Sequence, residues 1–286
     1  MAVAPRVDLY ARVVADRDEI AAYLRTDRRY AAYAMGDLDG PRRERCQWGI
    51  AYDDLGRPIA LAMHQEGLVP QPLFVMGDPE GCREILSSVI RPRDAYLLGT
   101  EALDETVAEL YELERPVFLH RMVVDRSTFQ PFAGPAERLA GSDIDALNRL
   151  YQLGFRGGFP ASVLEEGVYY GVWVRGQLVS AAGTHVINTH EGVAVVGNVM
   201  THLDFRGHDF AKMVTSAVTA ELLERMSDVA LNVHTDNLSA VAAYARLGYA
   251  EYCLLTERLA RRRSGGWGLM RPIREALRLT WPRETK

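Results

Sequence analysis

The chain lacks the features that mark several large classes of protein. Its 286 residues hold three cysteines, Cys46, Cys82 and Cys253. They are odd in number, widely spaced and set in apolar or strand-like surroundings, which argues against a disulfide framework or a cysteine-rich metal site and fits a reducing compartment. No run of 18 apolar residues occurs, and the opening MAVAPRVDLYARVVADRDE carries charge where a secretory leader needs an apolar stretch. A cytoplasmic protein with no membrane partner is expected. Charge of one sign is also lacking: 33 Lys and Arg against 38 Asp and Glu leave a net charge of -5, so nothing draws the whole chain to nucleic acid. There is no G-x-G-x-x-G and no phosphate-loop lysine at the required spacing, so neither a dinucleotide nor a nucleoside triphosphate is the natural ligand.

The composition is that of a globular protein able to bury sizeable cores, with 48% hydrophobic and 25% charged residues. The length suits two domains rather than one. DRSTFQPFAGP at 125–135, with two prolines and a glycine between periodic regions, reads as a linker. The expected division is a first domain at 1–125, a linker at 126–135, a second domain at 136–263 and a basic tail at 264–286. The tail contains IREALRLTW, which has amphipathic helical spacing and is read as a docked or frayed C-terminal helix. The second domain reads β α β β β α β α β, with FRGGFPASVLEEG as a long loop after its first helix. The first half gives a fainter version of the same order, from QWGIAYDDLGRPIALAMH to PVFLHRMVV, so a tandem duplication of an α/β (mixed-sheet α+β) unit is expected.

Two segments of the second half carry chemistry. In VVGNVMTHLDFRGHDFAKM a strand runs through Arg206 and Gly207 straight into a long helix. Such a turn aims unpaired backbone N-H groups and the positive end of the helix dipole outward, a seat for an anion such as pyrophosphate. In LNVHTDNLSAVAAYARLGY, Asn237 stands at a helix start where its side chain can cap, Tyr244 follows two turns along the same face, and Gly248 ends the helix with the left-handed residue that a reversal needs.

Together these segments resemble the signature motifs of the GNAT superfamily of acyl-coenzyme A N-acyltransferases. Asn237, Ala240, Tyr244, Gly248 and Tyr249 meet Asn-x-x-Ala-x-x-x-Tyr-x-x-x-Gly-Tyr/Phe at every defined position. Arg206 and Ala211 meet Arg/Gln-x-x-Gly-x-Gly/Ala, with Asp209 where that pattern has glycine. The resemblance implies two tandem GNAT-like domains and acetyl-coenzyme A as cosubstrate, with no metal. It implies that backbone groups of Val199, Met200 and Thr201 pair with the pantetheine arm. The amides of Arg206, Gly207, His208, Asp209, Phe210, Ala211 and Lys212 would hold the pyrophosphate, Asn237 would cap the second helix, and Tyr244 would face the sulfur. The first half lacks the Arg-Gly turn and puts Leu110 and Glu114 where Tyr244 and Gly248 stand, so it resembles a degenerate copy. In size and layout the chain is similar to tandem members such as the glycine N-acyltransferase-like enzymes and mycothiol synthase.

The expected reaction is transfer of an acetyl or short acyl group to a primary amine of a small molecule. An acceptor amine needs a base. The candidates are His185 on a middle strand, then Glu166, with Glu165 beside it, in the long loop, then His234; Tyr244 would protonate the departing thiolate. Two other readings stay open. One is a coenzyme A-binding sensor without catalysis, and the other is an enzyme acting on protein N-termini or lysines. A homodimer stays open as well.

Overall fold

The computed structural model describes residues 9–154 and 158–263; the tail and the helix read within it lie outside the described residues. Along the chain the elements are β1 (Tyr10–Val13), α1 (Arg17–Leu24), α2 (Ala32–Met35), β2 (Cys46–Tyr52), β3 (Pro58–Gln65), β4 (Pro72–Gly77), α3 (Pro79–Ser88), β5 (Asp94–Gly99), α4 (Glu101–Leu110), β6 (Tyr111–Leu113) and β7 (Val117–Asp125). There follow β8 (Ala136–Arg138), α5 (Ile144–Tyr151), α6 (Ser162–Glu166), β9 (Tyr170–Val174), β10 (Gln177–Asn188), β11 (Val193–Thr201), α7 (Phe210–Leu223), β12 (Asp228–His234), α8 (Leu238–Arg246) and β13 (Ala250–Arg262). Apart from the short β6, the order of helices and strands is the same twice over. The turns show why the sequence folds this way. Arg175 and Gly176, both left-handed at φ 51° and 78°, make the two-residue reversal between β9 and β10. Asp78 caps α3 by accepting from the Gly81 amide, with proline in the first turn of the helix. Residues 155–167 read as loop in the sequence, whereas 162–166 closes a helical turn that buries Leu164.

The described residues divide into two compact units, 9–120 with 253–263, and 121–154 with 158–252. In the first unit the strands run β1-β2-β3-β4-β5-β13. β4 and β5 are parallel and the rest antiparallel, with β6 set against β13. Leu61, Val75, Ile85, Leu97 and Val107 are its core. Sequence analysis grouped β13 with the second half. Its residues Thr256–Arg261 instead pair in antiparallel register with Asp94–Gly99. Buried Asp104, which receives Arg258 and the Thr256 hydroxyl, holds the strand there.

In the second unit the order is β7-β12-β11-β10-β9-β8. β10 sends side chains to both faces, and its register shifts against β9 and β11 break the strict two-residue alternation. Val179 and Ala182 pack with Val214, Val218 and Leu222 of α7, whereas Leu178 and Ala181 pack with Leu147, Leu150 and Tyr151 of α5. Residues 126–135, read as a linker, are a strap bound to this unit. Arg126 donates to the Leu223 and Glu224 carbonyls at the end of α7, Gln130 N-H to Leu247 O, and Phe132 N-H to Ser216 Oγ.

Gly248 is where the strap and α8 meet. Its φ is +90°, and a Cβ there would lie 2.0 Å from the Thr128 carbonyl oxygen. Gly207 is also left-handed, at φ +82°, but a Cβ there meets nothing within 4 Å among the described residues. Gly207→Ala should therefore cost only the conformational term of about 1 kcal/mol. Gly248→Ala adds a backbone clash and should cost roughly 3 kcal/mol or more. Urea titrations of the two variants check this, and equal losses would count against the strap contact.

Candidate functional site

The site begins with a defect in β11. Its antiparallel register with β10 shifts between Ala181↔Met200 and Gly183↔Gly197, so that Asn198 and Val199 stand opposite Ala182 alone. Asn198 takes the left-handed conformation this requires, at φ 52°. Such a bulge bends its strand and sharpens its twist. On the other side, parallel pairing with β12 runs from Val193↔Asp228 to Val196↔Leu231 and stops there. Val199, Met200 and Thr201 thus keep β10 as their neighbour and have lost β12, which leaves main-chain donors and acceptors at an opening between two parallel strands.

After β11 the chain passes Arg206 and Gly207, both exposed, and enters α7. Asp209 is the residue before the helix, left-handed at φ 60°, and makes no side-chain cap. Intrahelical bonding starts with Met213 N-H to Asp209 O. The amides of Phe210, Ala211 and Lys212 precede it and have no intrahelical acceptor, so a 14-residue helix presents an uncapped positive end. The Asp209 carboxylate turns aside to Lys212, with Oδ1 3.1 Å from Nζ. Lys212 is buried, and its ammonium sits 3.9 Å from the Phe132 ring centroid, a cation-π contact with the strap. His208 packs on Phe210, with ring centroids 5.5 Å apart, and its Nδ1 lies 3.0 Å from Arg206 O. Sequence reasoning placed the Lys212 amide here and missed its side chain.

Asn237 caps α8 as expected, its Oδ1 accepting from the Ala240 amide and the Ser239 hydroxyl. Tyr244 is buried in the core between α7 and the sheet, 6.1 Å from the Tyr249 ring, and burial pushes its phenol up to about 12.

The three base candidates lie in different places. His185 on β10 is exposed, covers Gly197, and has Nε2 2.8 Å from Asn198 Oδ1, at the bulge itself. His234 ends β12, three residues beyond the last paired position. Glu165 and Glu166 line a hollow of about 240 Å³ with Glu221, Leu222, Arg225 and Met226, which belong to the C-terminal end of α7 and the turn after it. A helix of 14 residues is about 20 Å long. Both glutamates therefore sit at the end of α7 away from the N-terminus, and Val168, two residues after Glu166, donates its N-H to the Thr184 hydroxyl beside His185. Asn198, Tyr169 and Tyr151 went unnoticed in the sequence. The available signal was Gly197-Asn198 inside an otherwise apolar strand, a mark of a bulge.

The matching place in the first unit is closed. The β3–β4 register is continuous from Ala60↔Gly77 to His64↔Leu73, without a bulge. The α3 amides are capped by Asp78. A Cβ at Gly77 would collide with the Tyr23 hydroxyl and the Ile59 carbonyl, so the turn is filled by the protein itself.

Residues 169–259 match the model of the FR47-like protein family. No curated protein sequence matches the chain. Among solved structures it is similar to a GNAT-family acetyltransferase of Novosphingobium aromaticivorans, at 19% identity and TM-score 0.56, covering 83% of this chain and all of that one. A GCN5-related N-acetyltransferase of Sphaerobacter thermophilus is similar at 16% identity and TM-score 0.55, over 90% and 96% of the two chains. A tandem GNAT protein from the clavulanic acid biosynthesis pathway aligns over 91% of this chain and all of its own, at 12% identity and TM-score 0.53. With its open β11–β12 edge, its uncapped α7 and its FR47-like segment, the chain has the mixed α/β fold of the GNAT acetyltransferase structures.

Proposed function

We propose that the second unit moves an acetyl or short acyl group from coenzyme A to a primary amine of a small molecule. The carrying observation is that one short stretch, 198–212, ends the β11–β12 pairing and supplies an uncapped helix N-terminus, so that acceptors for an amide-containing arm and donors for a diphosphate follow one another along the chain. Coenzyme A has both groups in that order, and its thioester supplies the activated acyl carbon. Val199, Met200 and Thr201 would hold the arm, and the amides from Arg206 to Lys212 the diphosphate. His185 takes the proton from the acceptor ammonium, which frees the nitrogen lone pair for attack. Burial pushes the Tyr244 phenol up to about 12, so at neutral pH it would act as a donor toward the leaving sulfur. Full transfer from such a phenol to a thiolate, whose own pKa is near roughly 8.5, is uphill. Its contribution is accordingly a hydrogen bond rather than a complete proton shift.

The experiment is release of free thiol from acetyl-coenzyme A across a panel of amines; binding without thiol release above the blank would favour a sensor. Calorimetry should give one acetyl-coenzyme A per chain, because Asp78 and Gly77 close the corresponding place in the first unit; two equivalent sites would contradict this. Tyr244→Phe keeps the ring in its core and should lower turnover roughly 10- to 100-fold, at or below the low end for a general acid, with cofactor affinity within about twofold. Unchanged turnover would confine Tyr244 to packing. Asp209→Gly suits φ 60° without strain, removes a half-exposed charge and releases Lys212. Its coenzyme A dissociation constant should fall severalfold, on the scale of about 1 kcal/mol for one such charge. Weaker binding would show that the Asp209–Lys212 pair is itself part of the seat.

A further inference from the structure

Asn198 is joined to three groups at once. Its Oδ1 is 2.8 Å from His185 Nε2, its Nδ2 donates to the Tyr169 hydroxyl at 3.0 Å, and its main-chain carbonyl accepts from the Tyr151 hydroxyl at 2.6 Å. The Tyr169 hydroxyl in turn donates to the Thr184 carbonyl at 3.2 Å. Tyr151 and Tyr169 are fully buried, and the Tyr169 ring lies against Gly183, where a Cβ would meet it at 1.9 Å. The Asn198 backbone is fixed by the bulge and by Tyr151, and its side-chain nitrogen by buried Tyr169.

The donors and acceptors of this chain close in one way. A carbonyl only accepts, so the single Tyr169 hydroxyl proton points at Thr184 O, and the phenol oxygen must accept from Asn198. That places the amide nitrogen toward Tyr169 and the amide oxygen toward His185. An amide oxygen also only accepts, so His185 Nε2 carries a hydrogen. With Asn198 turned over, the phenol proton would go to Asn198, and the Tyr169 oxygen would face the Thr184 carbonyl with no hydrogen between them.

We infer that Asn198 is a positioning residue that holds neutral His185 as the Nε2-H tautomer, so that Nδ1 carries the lone pair that takes the acceptor's proton. The inference rests on His185 being the base of the reaction proposed above. When the ammonium N-H bond breaks, its proton goes to Nδ1 and its electron pair stays on the amine nitrogen. The Nε2 hydrogen remains on Asn198 Oδ1 throughout, so the imidazolium keeps a fixed acceptor. The residue whose left-handed backbone parts β11 from β12 also sets the base, which ties the proton acceptor to the Val199–Thr201 edge through a single residue.

The test is ¹⁵N NMR of histidine-labelled full-length protein, together with kinetics using any amine it accepts. Wild type should show His185 protonated at Nε2 when neutral, with an Nε2-H proton that exchanges slowly enough to be seen. Asn198→Gly suits φ 52° and deletes the side chain; it should lose that signal and lower kcat roughly tenfold or more, inside the span expected when a general base is misplaced, with KM for acetyl-coenzyme A within about twofold. Asn198→Asp keeps both the backbone preference and an acceptor, and should retain the signal and turn over faster than the glycine variant. Neutral His185 protonated at Nδ1 in wild type, or an Nε2-H signal unchanged in Asn198→Gly, overturns the inference. A rise in KM matching the fall in kcat also overturns it, since Asn198 would then act through the cofactor strand alone. Should wild type turn over no amine, the proposed reaction fails while the NMR comparison still decides the role of Asn198.

Discussion

The second unit depends on one backbone constraint, the left-handed Asn198 in β11. A parallel pair of strands binds along its whole length unless something turns one of them away, since unpaired main-chain groups are costly to leave buried. Here the bulge does so two residues past Val196↔Leu231, the last paired position. Beyond it the strand keeps one neighbour and presents its other edge. The Tyr151 hydroxyl on the Asn198 carbonyl secures the distortion from the α5 face, where the chain would otherwise relax toward regular pairing.

The two units show the same order of elements put to different ends. In the first, a regular β4 leads through Gly77 into a helix capped by Asp78 and packed against Tyr23 and Ile59. In the second, a bulged β11 leads through an open Gly207 into a helix whose preceding aspartate turns to Lys212 instead of capping. The difference lies in who satisfies the first-turn amides. A side chain of the protein does so in α3, and in α7 no side-chain cap does. The backbone goes with this, since Asp78 is extended at φ -65° and Asp209 left-handed at φ 60°.

The strap at 126–135 belongs to this arrangement. Its Phe132 ring covers the Lys212 ammonium, its Gly134 lies against Met213, and its Thr128 carbonyl fills the space that Gly248 leaves open. It therefore fixes the cation nearest the helix start and the exit of α8 together, which a free connection would not do.

The sequence by itself determined the local elements and the two signatures. Apolar spacing marked the strands and helices, and Asn237, Gly248 and the Arg206–Gly207 turn marked the helix ends, because caps and left-handed glycines are decided within a few residues of chain. It did not determine the partners. The pairing of β13 with β5 depends on Asp94–Gly99, more than 150 residues away in sequence. The distance of Glu166 from the N-terminus of α7 follows from how α6 and α7 pack, and the link of His185 to Asn198 from a register shift between two strands. A shift of one residue changes every neighbour while leaving composition and periodicity as they were. For that reason the contact of His185 with Asn198 and the turn of Asp209 toward Lys212 were decided only by the tertiary structure.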